Sequence, residues 1–305
     1  AEERQLLRGI RERADVVIQN LRPGGAAELG LDAETLRKAK PALICCTIGA
    51  YGKAGPLKDR PGYDPLMQAF GGIMSVVGHE GGESVRVGPS IIDMGTGMWA
   101  VIGIQAALLR RKETGQGSVV DVSLFETAAS WMTMHAAQFL ASDELPRKVG
   151  SGQVGIVPYR AYRTADGELV VAAGNDKLFK GFCEAMERGD LFADPRFASN
   201  PERVRNATAL YAQIETEMAR RANADWQARL DALGVPCAPV QNARQMLEHE
   251  QTRALGIVQQ VPGATIPMIS LPVSFDGQRP QPRHAAPALG GDTEAVYAEL
   301  KEGGA

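Results

Sequence analysis

Two short apolar runs near the start of the chain, residues 14–18 and 42–48, constrain the fold more than any other feature of the sequence. Both are too short for a helix and are bounded by turn signals, so both read as buried strands. Between them lies the turn Gln19-Asn20-Leu21-Arg22-Pro23-Gly24-Gly25, then a helix over residues 32–38 that Asp32 caps and Pro41 stops. A chain that leaves one strand, forms a helix and enters the next strand makes a parallel pair, so the fold is α/β with a parallel sheet flanked by helices. Residues 119–122 supply a further strand, and residues 3–13 have the periodicity of a helix with Leu6, Leu7 and Ile10 on one face.

The second organising stretch is Ile91-Ile92-Asp93-Met94-Gly95-Thr96-Gly97-Met98-Trp99. It delivers one carboxylate from an apolar approach and leads into an apolar segment with Met98, Ile102, Ala106 and Leu109 at helical spacing. A helix over residues 95–111 places Asp93 just before an N-terminus, where free N–H groups favour negative charge. Gly95 and Gly97 would leave room for a ligand to reach the backbone. Asp93 is equally readable as an ordinary helix cap.

Net charge is −3 and charged residues make up 23% of the chain, so no basic excess points to nucleic acid or an anionic membrane as a partner. The apolar run 99–109 is too short to span a bilayer. Cys45, Cys46, Cys183 and Cys237 show no spacing for zinc, which leaves no metal site and fits a reducing cytoplasm. Cys45 and Cys46 are adjacent and therefore face opposite sides of a strand. No signal peptide is visible.

From about residue 143 the character changes. Residues 143–158 are polar and glycine-rich, a linker and active-site loop. A hairpin over 159–163 and 169–173 turns at Asp166-Gly167, and helices follow over 177–186, 204–221 and 224–233. The division expected is a large domain over 1–142, a smaller α+β domain over 159–242, and a return of 243–305 to the large domain.

The histidines offer little chemistry. None of His79, His135, His249 and His284 sits beside a nucleophile elbow, and His135 lies in an apolar helix over 124–140 and reads as a core residue. The glycine-rich stretches match neither the phosphate-binding loop nor the dinucleotide fingerprint. What remains is carboxylate chemistry without metal or histidine.

Several motifs in order carry a resemblance. They are Asn20-Leu21-Arg22-Pro23-Gly24 with Leu29-Gly30-Leu31, Arg60-Pro61-Gly62-Tyr63-Asp64, Asp93 to Gly97, and Thr114-Gly115-Gln116-Gly117 with Val120-Asp121-Val122-Ser123-Leu124. Thr164-Ala165-Asp166-Gly167, Gly174-Asn175-Asp176 and Gly234-Val235-Pro236-Cys237-Ala238-Pro239-Val240 follow. The chain resembles the class III CoA-transferases, also called the CaiB/BaiF family, which includes formyl-CoA transferase and carnitine CoA-transferase.

The resemblance implies that CoA moves from a donor acyl-CoA to a small carboxylic acid, with Asp93 as the nucleophile. Coenzyme A thioesters are then substrates, and no cofactor is tightly bound. Asn20, Leu21, Arg22 and Gly62 match CoA-contacting or loop positions; Asn20 is also readable as a turn residue. Tyr63 and Asp64 match the loop that faces the nucleophile, and Gln153 lies in the family's mobile glycine loop. Two departures stand out: Glu28 replaces a basic residue, and many members carry histidine where this chain has Gln153. Arg86 can pair a substrate carboxylate or lie solvated on the surface. The family also implies an intertwined homodimer. The chain opens on Ala1, and its motif match begins only just before Val16, so the family's N-terminal segment is expected to be absent. An acyl-CoA racemase or epimerase of the same fold is the nearest alternative. It is disfavoured because Tyr63 replaces the histidine its acid/base step uses, and tyrosine is a poor base at neutral pH. A non-catalytic acyl-CoA-binding fragment is the other.

Overall fold

A computed structural model describes residues 2–302, which separate into two compact units, residues 2–150 with 297–302, and residues 151–296. The first contains α1 (Glu2–Arg13), β1 (Val16–Gln19), α2 (Gly25–Glu28), α3 (Ala33–Ala39), β2 (Ile44–Gly49), α4 (Asp64–Phe70), α5 (Ile73–Val76), α6 (Ile91–Thr114), β3 (Val119–Ser123), α7 (Leu124–Trp131) and α8 (Thr133–Ser142). The three strands form one sheet in the order β1-β2-β3, parallel throughout, with Val16 opposite Ile44 and Cys45 opposite Val119.

β2 is the buried centre of that sheet, and its two cysteines show how it is covered. Cys45 packs with Leu36 of α3 and Leu43 on one face, while Cys46 packs with Ala100 and Ile104 of α6 on the other. The alternation expected of adjacent strand residues thus yields a helix–sheet–helix sandwich. Asp32 caps α3 as expected, its carboxylate accepting from the Thr35 N–H at 2.9 Å, and that bond holds its pKa below the usual aspartate value.

α6 is longer than its periodicity indicates. It runs 24 residues, about 36 Å at 1.5 Å per residue, and by length and composition alone would cross a bilayer. The estimate that no apolar run here is long enough is therefore corrected: the helix continues past residues 99–109 at both ends. Its face bearing Ala100 and Ile104 lies on the sheet. The helix expected over 124–140 is instead two, broken at Met132. α8 has no fully buried residue, and His135 is only half-buried, so it is not the core residue expected.

The second unit holds β4 (Tyr159–Arg163), β5 (Glu168–Ala172), α9 (Asp176–Ala185), α10 (Gly189–Ala193), α11 (Asn200–Arg205), α12 (Ala207–Met218), α13 (Asn223–Ala232) and β6 (Cys237–Pro239), then α14 (Ala243–Glu248), α15 (Glu250–Ala254), β7 (Val258–Gln259) and β8 (Met268–Ile269). β4, β5 and β6 make an antiparallel sheet, and the helices close over it in one apolar core that includes Tyr162, Phe179, Phe182, Phe197 and Trp226. Residues 243–296 cluster with this unit rather than joining the parallel sheet, because β7 pairs with β8 and not with β1 or β3. The return to the first unit begins at Tyr297, within α16 (Thr293–Glu302).

Candidate active site

The direction of α6 decides where Asp93 lies. α6 ends in a turn at Gly115, and Gly117 then presses against the backbone of 41–43, where a Cβ would sit 2.0 Å from the Leu43 carbonyl oxygen. That turn is therefore at the amino edge of β2, and α6, which runs antiparallel to the strands, begins at the carboxyl edge with Asp93 in its first turn. The loops after β1 and β2, which carry Asn20–Arg22 and Gly62–Asp64, leave from that same edge. In parallel sheets this is the edge where ligands bind.

Asp93 is not ahead of the helix but inside its first turn, with Ser90 as the N-cap residue and no side chain of its own sequence region capping the end. The cap comes from α4. Asp64, only 2% exposed, accepts the Ile92 N–H at 2.7 Å and the Asp93 N–H at 3.2 Å through Oδ2. The other two first-turn N–H groups are also taken, Ile91 by the Pro89 carbonyl and Met94 by the Ser90 carbonyl. The N–H groups expected to be free at this terminus are therefore taken: Asp64 and the local backbone occupy them.

The Asp93 carboxylate itself is exposed and has no hydrogen-bond or ion-pair partner among the described residues. Partial burial, and secondarily the charge of Asp64, push its pKa above the ordinary aspartate value. Two like charges share one helix terminus, and the one that holds the N–H groups is Asp64.

The neighbouring glycines divide in role. A Cβ on Gly95 would come within 2.9 Å of Trp131 Cζ2 and 3.0 Å of Thr127 Cγ2, so this glycine serves the contact of α6 with α7. Next to it Thr96 Oγ1 donates to the Ile92 carbonyl and bonds Thr127 Oγ1, both buried. Gly97 faces open space, with nothing within 4 Å of an added Cβ. Of the two glycines, only Gly97 leaves open space beside the backbone.

Asp64 is delivered by its loop. Phe125 N–H donates to the Ala50 carbonyl, Tyr51 and Phe70 rings meet edge-on at 5.2 Å, and Gly62 lies so close to Ala50 and Met67 that a Cβ would contact both at 2.9 Å. Gly62 therefore acts in loop packing. Tyr63 is exposed and immediately precedes α4. Asn20 and Arg22 are exposed in the loop after β1, as is Leu21, whose N–H bonds the Gln19 side chain. Arg22 pairs with Glu28 at 2.8 Å, so the acidic residue that departs from the family pattern neutralises the neighbouring cation. None of these three touches Asp93. Gln153 is exposed in the second unit, in a tight turn bridged to Ile156. Arg86 is exposed and donates to the Gly88 carbonyl, with no acidic partner among the described residues. His79 packs its ring over Gly150 and stands outside the site.

Sequence reading missed Gln68, which is fully buried and donates to Asp64 Oδ1 at 2.6 Å. Its signal was available: Asp64 and Gln68 are four apart on one helix, the spacing at which side chains meet.

The sequence profile of CoA-transferase family III matches residues 1–293, and the chain belongs to that family. The match starts at residue 1, ahead of the Val16 start inferred from the motifs. Among relatives, succinyl-CoA:glutarate CoA-transferase of Mus musculus is 32% identical over 94% of this chain and 66% of its own length. The acetyl-CoA:oxalate CoA-transferase of Acetobacter aceti is likewise 32% identical, over 94% of this chain and 74% of that protein. The crystal structure of a CaiB/BaiF family protein from Brucella suis superposes with a TM-score of 0.88 at 34% identity, covering 98% of this chain and 79% of that one. The chain thus spans about two thirds to four fifths of the length of these three proteins.

Proposed function

We propose that this protein transfers CoA from an acyl-CoA thioester to a free carboxylic acid, with Asp93 forming the covalent intermediates. The observation that carries the reading is the unpartnered Asp93 carboxylate in the first turn of α6, its own N–H held from behind by buried Asp64. A carboxylate is a weak nucleophile, and one of raised basicity that no donor quenches is a better one. An Asp93 oxygen attacks the donor thioester carbonyl, the C–S bond breaks, and CoA leaves as thiolate. The thiolate then attacks the Asp93 carbonyl of the mixed anhydride, releasing the donor acid and leaving an aspartyl-CoA thioester. The acceptor carboxylate attacks that thioester, and the expelled thiolate takes the acceptor's acyl carbon from the second anhydride. Asp93 is regenerated, and no net proton is consumed.

Relatives named for glutarate and oxalate support dicarboxylic acids as the acceptor class. The reading extends to Tyr63 and Gln153 as groups facing the substrates, to the 20–22 loop as a CoA contact, and to a cytoplasmic setting, which the four free cysteines fit. It also extends to the paired, interlocked subunits the family implies. The support for pairing is the row of exposed apolar side chains on α6 and α8, among them Met94, Met98, Ile102, Leu109, Met134 and Leu140.

The test is to mix the enzyme with succinyl-CoA, quench with hydroxylamine, digest it and weigh the peptides. The expected product is a hydroxamate on the Asp93 peptide, absent from Asp93→Ala. An unmodified Asp93 with the adduct elsewhere overturns the assignment.

A further inference from the structure

We infer that Gln68 is a positioning residue for transfer: through Asp64 it sets the place of the turn that carries Asp93. The inference rests on Asp93 being the nucleophile.

Gln68 is fully buried on α4 and every polar atom of its amide is engaged. Oε1 accepts the Val87 N–H at 2.8 Å, while Nε2 donates to the Val87 carbonyl at 3.3 Å and to Asp64 Oδ1 at 2.6 Å. The Val87 N–H fixes which end of the amide points where, because only the oxygen can receive it. Asp64 therefore receives three N–H donors, one from Gln68 on Oδ1 and two from Ile92 and Asp93 on Oδ2. A carboxylate so surrounded is an acceptor at both oxygens and cannot turn about its own bond without losing them.

The result is a closed loop of bonds. Helix α4 grips the strand-like segment leading into α6 at Val87 and grips the start of α6 at Ile92 and Asp93. The residues between, Gly88 to Ile91, are suspended from one helix at two points four residues apart. Pro89 stiffens that span and its carbonyl accepts the Ile91 N–H. Removing the Gln68 link frees Asp64 to swing, and the first turn of α6 with it. The Ile92 side chain stays anchored in the core with Met67, Ile73 and Leu124, so the loss falls on backbone placement at Asp93 rather than on the packing of the helix.

The network also carries a logic that a substitution can invert. In Asp64→Asn the oxygen can remain on the Ile92 and Asp93 N–H groups, but the amide nitrogen then faces Gln68 Nε2, donor against donor. Adding Gln68→Glu turns that second group into an acceptor and restores the link between the two side chains with the charge moved by one turn, while the longer bond to the Val87 carbonyl is given up.

The experiment compares steady-state transfer, and the burst of Asp93 adduct, in wild type, Gln68→Met, Asp64→Asn and the Asp64→Asn/Gln68→Glu double variant. Gln68→Met should lower kcat by roughly 10²-fold, the scale of a displaced reacting group, with KM for the acyl-CoA close to wild type. The double variant should recover at least about 10-fold over Asp64→Asn, since it restores a charge-assisted hydrogen bond. Wild-type kcat in folded Gln68→Met, or a double variant no better than Asp64→Asn, overturns the inference. Should Gln68→Met not fold, the single-against-double comparison decides alone. The wild-type burst keeps the two ideas apart: an active wild type with no Asp93 adduct removes the nucleophile assignment.

Discussion

The two units bury their apolar side chains in contrasting ways. In the second, the aromatic and aliphatic residues of four helices, α9, α10, α12 and α13, and a three-stranded sheet meet in one continuous core. Arg203 lies at its heart, fully buried: Nε donates to the Val157 carbonyl at 2.8 Å, Nη1 to the Phe197 carbonyl at 3.1 Å, Nη2 to Asp176, and the guanidinium stacks on Phe179 at 4.6 Å. Among the described residues of the first unit the buried apolar side chains fall into three small separate clusters, two against the faces of the sheet and one beneath α4 and the start of α6. Much of α6 beyond that is apolar and open, with Met94 66% and Leu109 65% exposed. A unit with one core is rigid by packing. The first unit instead holds Asp93 through hydrogen bonds at the start of a helix whose outer face is exposed.

That contrast can be broken most sharply at the proposed nucleophile. Asp93→Asn should reduce transfer by roughly 10⁴- to 10⁶-fold, as removal of a nucleophile does, while changing stability by at most about 0.5 kcal/mol. The sign of that small change is positive. Asp93 has a raised pKa, so the folded state holds its proton more tightly than the unfolded chain, and its charge costs stability as pH rises through that pKa. Thermal melts at neutral pH beside assays at saturating acyl-CoA would show both. An equally inactive but less stable variant would mean that Asp93 is structural.

Arg203→Met addresses the other side. It leaves the buried Val157 and Phe197 carbonyls without donors, a cost of about 2–4 kcal/mol. Hydrogen exchange should rise across residues 151–296 and leave the α6 amides protected. Uniform loss of protection would show the units to be one cooperative body.

The glycines sharpen the comparison within α6. Gly95→Ala drives a methyl into Trp131 and Thr127, at about 1–3 kcal/mol. Gly97→Ala meets nothing and should stabilise the helix by up to about 1 kcal/mol. Yet it should raise KM for acyl-CoA, because its methyl fills the open space beside Asp93. Urea melts of the two variants should move in opposite directions.

The smallest effect is in pH. In the proposed mechanism the ionised form of Asp93 attacks, so the acid limb of kcat should lie above the ordinary aspartate range, activity falling as pH drops through it. Burial is the larger cause and the Asp64 charge the lesser. Removing that charge in Asp64→Asn should therefore shift the limb only slightly toward acid, readable from the residual rate. A shift toward alkali would show that capping, not charge, governs Asp93.

Much of this was legible in the residues. The strand positions, the Asp32 cap and the opposed faces of Cys45 and Cys46 follow from local rules, because each is decided within a few residues of chain. The motifs around Asn20, Tyr63 and Asp93 were enough to draw the family. The misplacements share a cause. Local signals put the start of α6 at Gly95, since Gly and Asp are poor helix formers, but Asp64, nearly thirty residues away, caps it at Ile91. Gly95 resembled an opening for substrate, and it is where Trp131 packs. His135 looked buried because its neighbours are apolar, yet no residue of α8 is fully buried.

By itself the sequence determined the parallel α/β core, the position of a lone carboxylate beside a long apolar helix, and the family. Those depend on periodicity and on short motifs, which are properties of neighbours along the chain. Only the tertiary structure decided which groups satisfy the N–H donors at the start of α6, and hence that Asp64 and Gln68 serve the backbone while Asp93 stays free. Hydrogen-bond partners across a fold are chosen by which helices the sheet brings side by side, and no spacing along the chain records that choice.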